Sequence, residues 1–322
     1  MRQILKTSPS LIQVLHKRTP ISTGFVVCLL FVLIFIIGCS HAVTVEKNAD
    51  PTISDSKEAI LLVAFGISND EKLPAYKNVE RLVRERLPDA EIHWAYTSHI
   101  IRKKLAQKGI VVSSPEEAVN KLISQGVTRL TVQSLHVIPG HEYDEMLAVL
   151  RHYQPEFESL SIGPPLLSSV SDAEQVIDIL LKNIPERGAD DALIFMGHGT
   201  SHSSGFCYVA VNAMLNEKDS RAYLGTVAGH PTFDQILSSC RKSGVQKAVL
   251  VPFMVVSGDH ARNDMGGDDP DSWKSMFAAE GIDARPVYRG MTEVNDLAGL
   301  FVDHLIAARS VNAAQLGKDT RK

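Results

Sequence analysis

The 322-residue sequence is short of cysteine: it has four, and none of them stands in a C-x-x-C or C-x-x-C-H pair. Zinc knuckles and covalent c-type haem attachment are therefore not indicated. There is no basic excess, with 33 Lys and Arg against 37 Asp and Glu and a formal net charge of -4. A non-specific nucleic-acid binder would carry one, so no nucleic-acid partner is expected. No G-x-S-x-G elbow occurs, which removes the main mark of an α/β-hydrolase. Neither a GxxxxGK[ST] loop nor an HExxH pair is present, and Gly197-His198-Gly199 does not continue as GxGxxG, so no nucleotide is expected. With 44% hydrophobic and 22% charged residues, the chain is neither disordered, collagenous nor coiled-coil. Its length allows roughly two domains.

Long hydrophobic runs are scarce as well. One, Gly24–Gly38 (GFVVCLLFVLIFIIG), is uncharged and follows Arg2, Lys6, Lys17 and Arg18 with no acidic residue before it. A basic stretch followed by an apolar one of this length reads as a secretory signal, and it is short for the ~20 apolar residues of a membrane span. The run closes on Ile36-Ile37-Gly38-Cys39, which resembles the lipobox at which a cysteine is lipidated. Residues 1–38 are thus expected to be a lipoprotein-type signal peptide, with Cys39 as the lipidation site. The alternative is an uncleaved signal anchor. Both place the body in the periplasm, tethered to a membrane, and Ser40 after Cys39 suggests the outer membrane. Residues 39–57 are polar, contain Pro51 and read as a tether. Cys207 and Cys240 remain in the body, either paired or as separate buried thiols.

In the body, apolar strand-like runs alternate with helix-period segments. Ala59–Phe65, Glu91–Tyr96, Leu130–Ile138 and Leu160–Ile162 read as strands, with helices at Leu73–Leu87, Pro115–Gln125 and Glu142–His152 between them. The pattern restarts with strands at Ala192–Met196, Leu224–Ala228, Ala248–Val256 and Ala284–Tyr288, and it closes with the amphipathic helix Asp296–Ala308. Gly126-Val127-x-Arg129 precedes Gly140, and Gly244-Val245-x-Lys247 precedes Gly258, by the same fourteen residues. The expectation is an α/β fold of two similar Rossmann-like lobes. Each would be a doubly wound parallel sheet, at 58–188 and 189–310, with a cleft between them and a polar tail over 311–322.

Ligands of open parallel sheets bind beyond the carboxyl ends of the strands. The residues expected there include His198, between two glycines after a strand, and His260 in Gly258-Asp259-His260-Ala261-Arg262-Asn263-Asp264. Glu142 occupies the repeat position equivalent to His260. Two imidazoles and a carboxylate suit a divalent first-row metal, and the same histidines titrate near neutrality and could take protons. The alternative is that they are structural hydrogen-bonding residues.

Several motifs in order carry a resemblance: Leu62-Val63-x-Phe65-Gly66, Thr97-Ser98-x-Ile100-Ile101-Arg102-Lys103, Gln133-Ser134-Leu135-His136, Phe195-Met196-Gly197-His198-Gly199, Gly258-Asp259-His260-Ala261-x-Asn263-Asp264-Met265 and Asp271-Ser272-Trp273-Lys274. Together, from Ala59 to His304, they resemble the anaerobic sirohydrochlorin cobaltochelatases of the CbiK type, class II chelatases. The resemblance implies two lobes around a tetrapyrrole cleft and insertion of Co2+, with Fe2+ a second metal. It implies His198 and His260 as metal ligands and proton acceptors, with Glu142 near the metal. Arg102, Lys103 and Arg262 would meet the substrate's carboxylates.

Two positions depart from the family. Ala228 stands where the family has Glu, so either His230 replaces that ligand or Glu142 serves alone. His141 stands where an acidic residue is common. It is the candidate axial ligand for haem b at a subunit interface, an arrangement that implies a homo-oligomer. Export is unusual for a biosynthetic enzyme, and it sustains an alternative: a periplasmic haem or metal carrier on a chelatase scaffold.

Overall fold

The strand-like runs are buried on both faces, and each face serves a different core. The computed structural model describes residues 56–68, 73–183 and 185–319. The signal, Cys39 and nearly all of the tether lie outside the described residues.

The first half contains β1 (Lys57–Ala64), α1 (Leu73–Arg86), β2 (Ile92–Tyr96), α2 (His99–Gln107), α3 (Pro115–Ser124), β3 (Val127–Ser134), α4 (His141–Tyr153), β4 (Ser159–Gly163) and α5 (Val170–Lys182). The second contains β5 (Ala192–Gly199), α6 (Phe206–Lys218), β6 (Ala222–Ala228), α7 (Phe233–Lys242), β7 (Lys247–Phe253), α8 (Trp273–Ala279), β8 (Asp283–Pro286) and α9 (Asn295–Asp319). Two four-stranded sheets result, ordered β2-β1-β3-β4 and β6-β5-β7-β8, and every pairing is parallel. The second order is the first one repeated, as the matched segments in the sequence anticipated.

Period-two burial separates the cores. Ala59, Leu61 and Val63 of β1 pack with Ala118, Val119 and Leu122 of α3 and with Met146 and Leu150 of α4. Ile194 and Met196 of β5 pack with Phe233 and Ile236 of α7 and Phe277 of α8. The opposite faces, with Ile60 and Leu62 on one sheet and Leu193 and Phe195 on the other, belong to one continuous central core. Helices α1, α5, α6 and α9 contribute to it.

Two helices differ from the sequence reading. α2 and α5 fall in segments to which the sequence pattern assigns no helix. Each opens on a serine whose side chain accepts from the first turn, Ser98 from the Ile101 NH (3.3 Å) and Ser169 from the Asp172 NH (3.1 Å). Such caps satisfy otherwise orphaned donors. α5 then buries Ala173, Val176, Ile177 and Leu180 on one face.

The closing helix α9 packs on β3, β4 and α1 of the first half. Leu297, Phe301 and Leu305 are fully buried there, and Asn78 of α1 donates to Thr292 O at 2.8 Å. The chain thus returns across its own midpoint, and a lobe boundary drawn in sequence does not contain this helix. Its backbone continues to Asp319, past the Ala308 at which the amphipathic pattern fades. Phe301→Ala is expected to destabilise the whole body by about 3–5 kcal/mol, the usual cost of truncating a buried phenylalanine. Urea unfolding measures this, and a loss below about 1 kcal/mol would show that α9 is not integral to the core.

Candidate active site

In each sheet the strand order reverses between two neighbours: β1 and β3 in the first, β5 and β7 in the second. Beyond the carboxyl ends of such a pair lies the crevice where open α/β sheets bind ligands. His198 sits at the end of β5, and His260 follows β7.

His198 is exposed between buried Gly197 and Gly199. Both glycines are sterically required. A Cβ on Gly199 would stand 1.8 Å from Ala228 O, at a φ of +81°, and one on Gly197 would stand 2.8 Å from the Tyr208 ring. L-residues with side chains disfavour that φ, so the strand can present His198 only in this frame.

The His198 and His260 rings lie 4.7 Å apart between centroids, nearly perpendicular at 86°. Nδ1 of His198 is 3.1 Å from Gly199 O, and Nδ1 of His260 contacts a carboxylate oxygen of Asp264. Carbonyl and carboxylate oxygens only accept, so in the neutral rings both Nδ1 atoms carry the proton. Nε2 is then the lone-pair nitrogen of each. Hydrogen bonds of this kind fix tautomer and ring orientation in metal-binding histidines. Asp264 lies four residues after His260, across a π-helical turn at Ala261–Met265.

Glu142 lies in the first turn of α4. Burial pushes the His136 imidazole down to about 4, with the Glu142 carboxylate opposing the shift. Burial likewise pushes the Tyr208 phenol up to about 12; the Gly199 backbone NH opposes the shift, and Cys207 and Glu142 add to it. His136 is therefore a neutral imidazole at pH 7, with Nδ1 2.8 Å from Ser134 Oγ and Nε2 3.4 Å from Thr97 Oγ1.

This shift has a consequence for stability. Between pH 6.5 and about 4 the unfolded chain holds a proton on residue 136 that the folded protein excludes. Stability from this group is present in full above pH 6.5 and lost as pH falls toward 4, by up to about 3 kcal/mol. His136→Gln is expected to have a shallower acid limb in urea midpoints measured from pH 7 to pH 4. Parallel curves for the two proteins would refute this.

The other residues singled out in the sequence are spread around this centre. His230 follows exposed Gly229 across a cis peptide to Pro231, and its Nδ1 lies 3.5 Å from Gln235 Oε1. Among the described residues no three His, Cys, Asp or Glu side chains converge to hold a metal ion. Ala228 pairs in register with Gly199, next to His198, and brings no donor to that point. Arg102 is half-buried, with its guanidinium 3.7 Å from Glu117. Lys103 is exposed on α2, and Arg262 is exposed on the π-helical turn. Cys207 and Cys240 are free thiols.

His141 packs edge-on against His202 at 4.9 Å, with Nε2 3.3 Å from Ser201 Oγ. That contact engages a nitrogen which an axial haem ligand would have to present. His202 also reaches Asp144 of α4 at 3.2 Å. The loop after β5 is thereby joined to the first turn of α4 across the cleft. Sequence reading passed over His202, Asp144 and Tyr208. Ser201-His202 after the strand-end glycine was the available signal, but a loop histidine does not reveal its partner.

A cavity of about 360 Å³ lies elsewhere, at the amino-terminal ends of the first sheet's strands. Within its lining Glu58 meets Arg129 at 3.0 Å and Arg309 at 2.6 Å. The chemistry-bearing side chains are at the other pole.

The chain is similar to known proteins over most of its length. The chain is 38% identical over 258 residues to the sirohydrochlorin cobaltochelatase CbiKC of Nitratidesulfovibrio vulgaris, covering 79% of this chain and 92% of that protein. It is also 38% identical over 253 residues to the sirohydrochlorin cobaltochelatase of Salmonella typhimurium, covering 77% and 95%. Bacillus subtilis SirB, solved with Fe3+, shares the fold at a TM-score of 0.54 and 16% identity, over 81% of this chain and 98% of that one. The profile of the cobalt chelatase family CbiK matches residues 58–310, so the chain belongs to that family.

Proposed function

We propose that this protein is a sirohydrochlorin cobaltochelatase, inserting Co2+ into the metal-free tetrapyrrole. The observation that carries the reading is the facing pair of His198 and His260, each held with a lone pair on Nε2 at the switch point of the second sheet. Insertion exchanges two pyrrole N–H protons for one Co2+. The site must therefore hold a borderline metal and accept protons near neutral pH, and imidazole does both. Two nitrogen donors hold a divalent ion loosely, and that suits an ion to be surrendered to four pyrrole nitrogens. Glu142, in the first turn of α4, would add a negative charge for the incoming cation. Lys103 and Arg262, both exposed, would meet carboxylates at the macrocycle's edge. No redox group or nucleotide is needed, because no electrons and no phosphoryl group move.

The test is direct: purified protein, metal-free sirohydrochlorin and Co2+ or Fe2+ are mixed, and the absorbance change is followed. A rate no faster than spontaneous insertion would sink the reading.

We further propose that the enzyme is exported and held at a membrane from the periplasmic side. The uncharged run Gly24–Gly38 followed by Cys39 supports this. Among the described residues no helix is long and apolar enough to cross a membrane. Cell fractionation of the native chain and of Cys39→Ser tests the anchor: loss of lipid labelling on substitution is expected, and unchanged labelling would exclude Cys39 as the site.

A further inference from the structure

Helix α4 is fastened to the first sheet and stands apart from the core that unites the two halves. Its buried side chains, Met146 and Leu150, pack with β1 and α3, and neither belongs to the central core. The first turn of α4 meets the second half through polar contacts instead. His141 brings Nε2 to 3.3 Å from Ser201 Oγ and sets its ring edge-on against His202. Asp144 places a carboxylate oxygen 3.2 Å from His202 Nε2. His141 and Asp144 are three residues apart on the helix, so they share one face, and that face meets the loop after β5. Glu142 follows His141 directly and sits about 100° further round the helix.

The loop is tied down around His202. The His202 NH donates to Thr200 Oγ1 at 3.0 Å, and the ring Nδ1 accepts from the Ser204 NH at 3.1 Å. An N–H aimed at Nδ1 leaves the proton of the neutral ring on Nε2, the nitrogen that faces Asp144. His198 lies only four residues before His202. The Glu142 charge reaches the same neighbourhood, since it acts on Tyr208, whose ring lies against Gly197. The Asp144 side chain is 59% exposed, and a contact of that kind adds at most about 1 kcal/mol to stability. What it fixes is where the first turn of α4 stands relative to His198.

We propose that His202 and Asp144 are positioning residues of the metal site. Their contact, with His141 on Ser201 beside it, sets Glu142 at its working distance from His198 and so tightens the hold on Co2+ before insertion. This rests on the chelatase reading and adds to it a pair of residues that act through Glu142 rather than on the ion.

The test is calorimetric titration of Co2+ into the full protein without tetrapyrrole. His202→Ala and Asp144→Ala are each expected to weaken Co2+ binding about tenfold, the lower end of what supporting residues around a metal site contribute. The thermal midpoint should move by less than about 4 °C. Glu142→Gln should weaken binding at least as much. In the Glu142→Gln background His202→Ala should then cost nothing further, because the residue it positions no longer carries the charge. His202→Gln keeps an N–H for Asp144 and should retain most of the affinity. A merely structural loosening of the loop would displace His198 as well, and the two losses would add. Additive losses, wild-type Co2+ affinity in His202→Ala or in Glu142→Gln, or His202→Gln as weak as His202→Ala would each overturn the proposal. With a wild-type protein that inserts Co2+, the chelatase reading would stand. A wild-type protein that neither binds nor inserts Co2+ would overturn the chelatase reading, and the proposal with it.

Discussion

Replacing His198 and His260 together with alanine is expected to lower the rate of Co2+ insertion about 100-fold to 10,000-fold, the range usually lost with positioned acid–base groups. Co2+ binding measured without tetrapyrrole should disappear with it. The fold should survive. Both rings are exposed, and neither belongs to the buried cores. Substitutions at such positions usually move stability by less than about 0.5 kcal/mol. The single variants should each lose nearly as much activity as the double, because residues acting as a unit are strongly non-additive. Stopped-flow absorbance at saturating sirohydrochlorin measures all three. Insertion retained in the double variant would show that the metal enters elsewhere, whatever the family of the chain.

Ala228→Glu is expected to act in the opposite direction on metal binding. Position 228 pairs in register with Gly199 and lies one residue from His198 across the β5–β6 ladder. Ala228 is exposed, so a longer side chain meets no packed wall. A carboxylate there would turn a two-nitrogen site into one with a hard oxygen donor and a negative charge. A charge-assisted contact of about 1.5–3 kcal/mol corresponds to Co2+ binding roughly 10-fold to 100-fold tighter. Calorimetric titration of Co2+ into the wild-type protein and the variant checks it. An unchanged affinity would mean that the end of β6 does not reach the ion.

The fold was largely written into local pattern. The run of Ala59–Phe65, apolar at every residue, demanded a strand covered on both faces, and the repeated Gly-Val spacing pointed to a second sheet of the same kind. His198 and His260 were legible because glycine-rich turns after buried strands are where such sheets place chemistry. Less legible was α2: no helix is read between Glu91–Tyr96 and Pro115–Gln125 until the Ser98 cap is seen closing on Ile101. The pairing of His202 with Asp144 was hidden altogether, since it joins residues fifty-eight positions apart through the docking of two loops.

What the sequence determined by itself was the alternation of strands and helices, the duplication, and the chemical character of the strand ends. These depend on near-neighbour spacing, hydrophobic period and turn residues. Tertiary structure alone decided two further things. It turned the His198 and His260 rings to face each other, and it sent α9 back across the first sheet so that two repeats share one core. Each depends on how separate elements pack. That outcome is set by the summed burial of many side chains, which no single stretch of sequence contains.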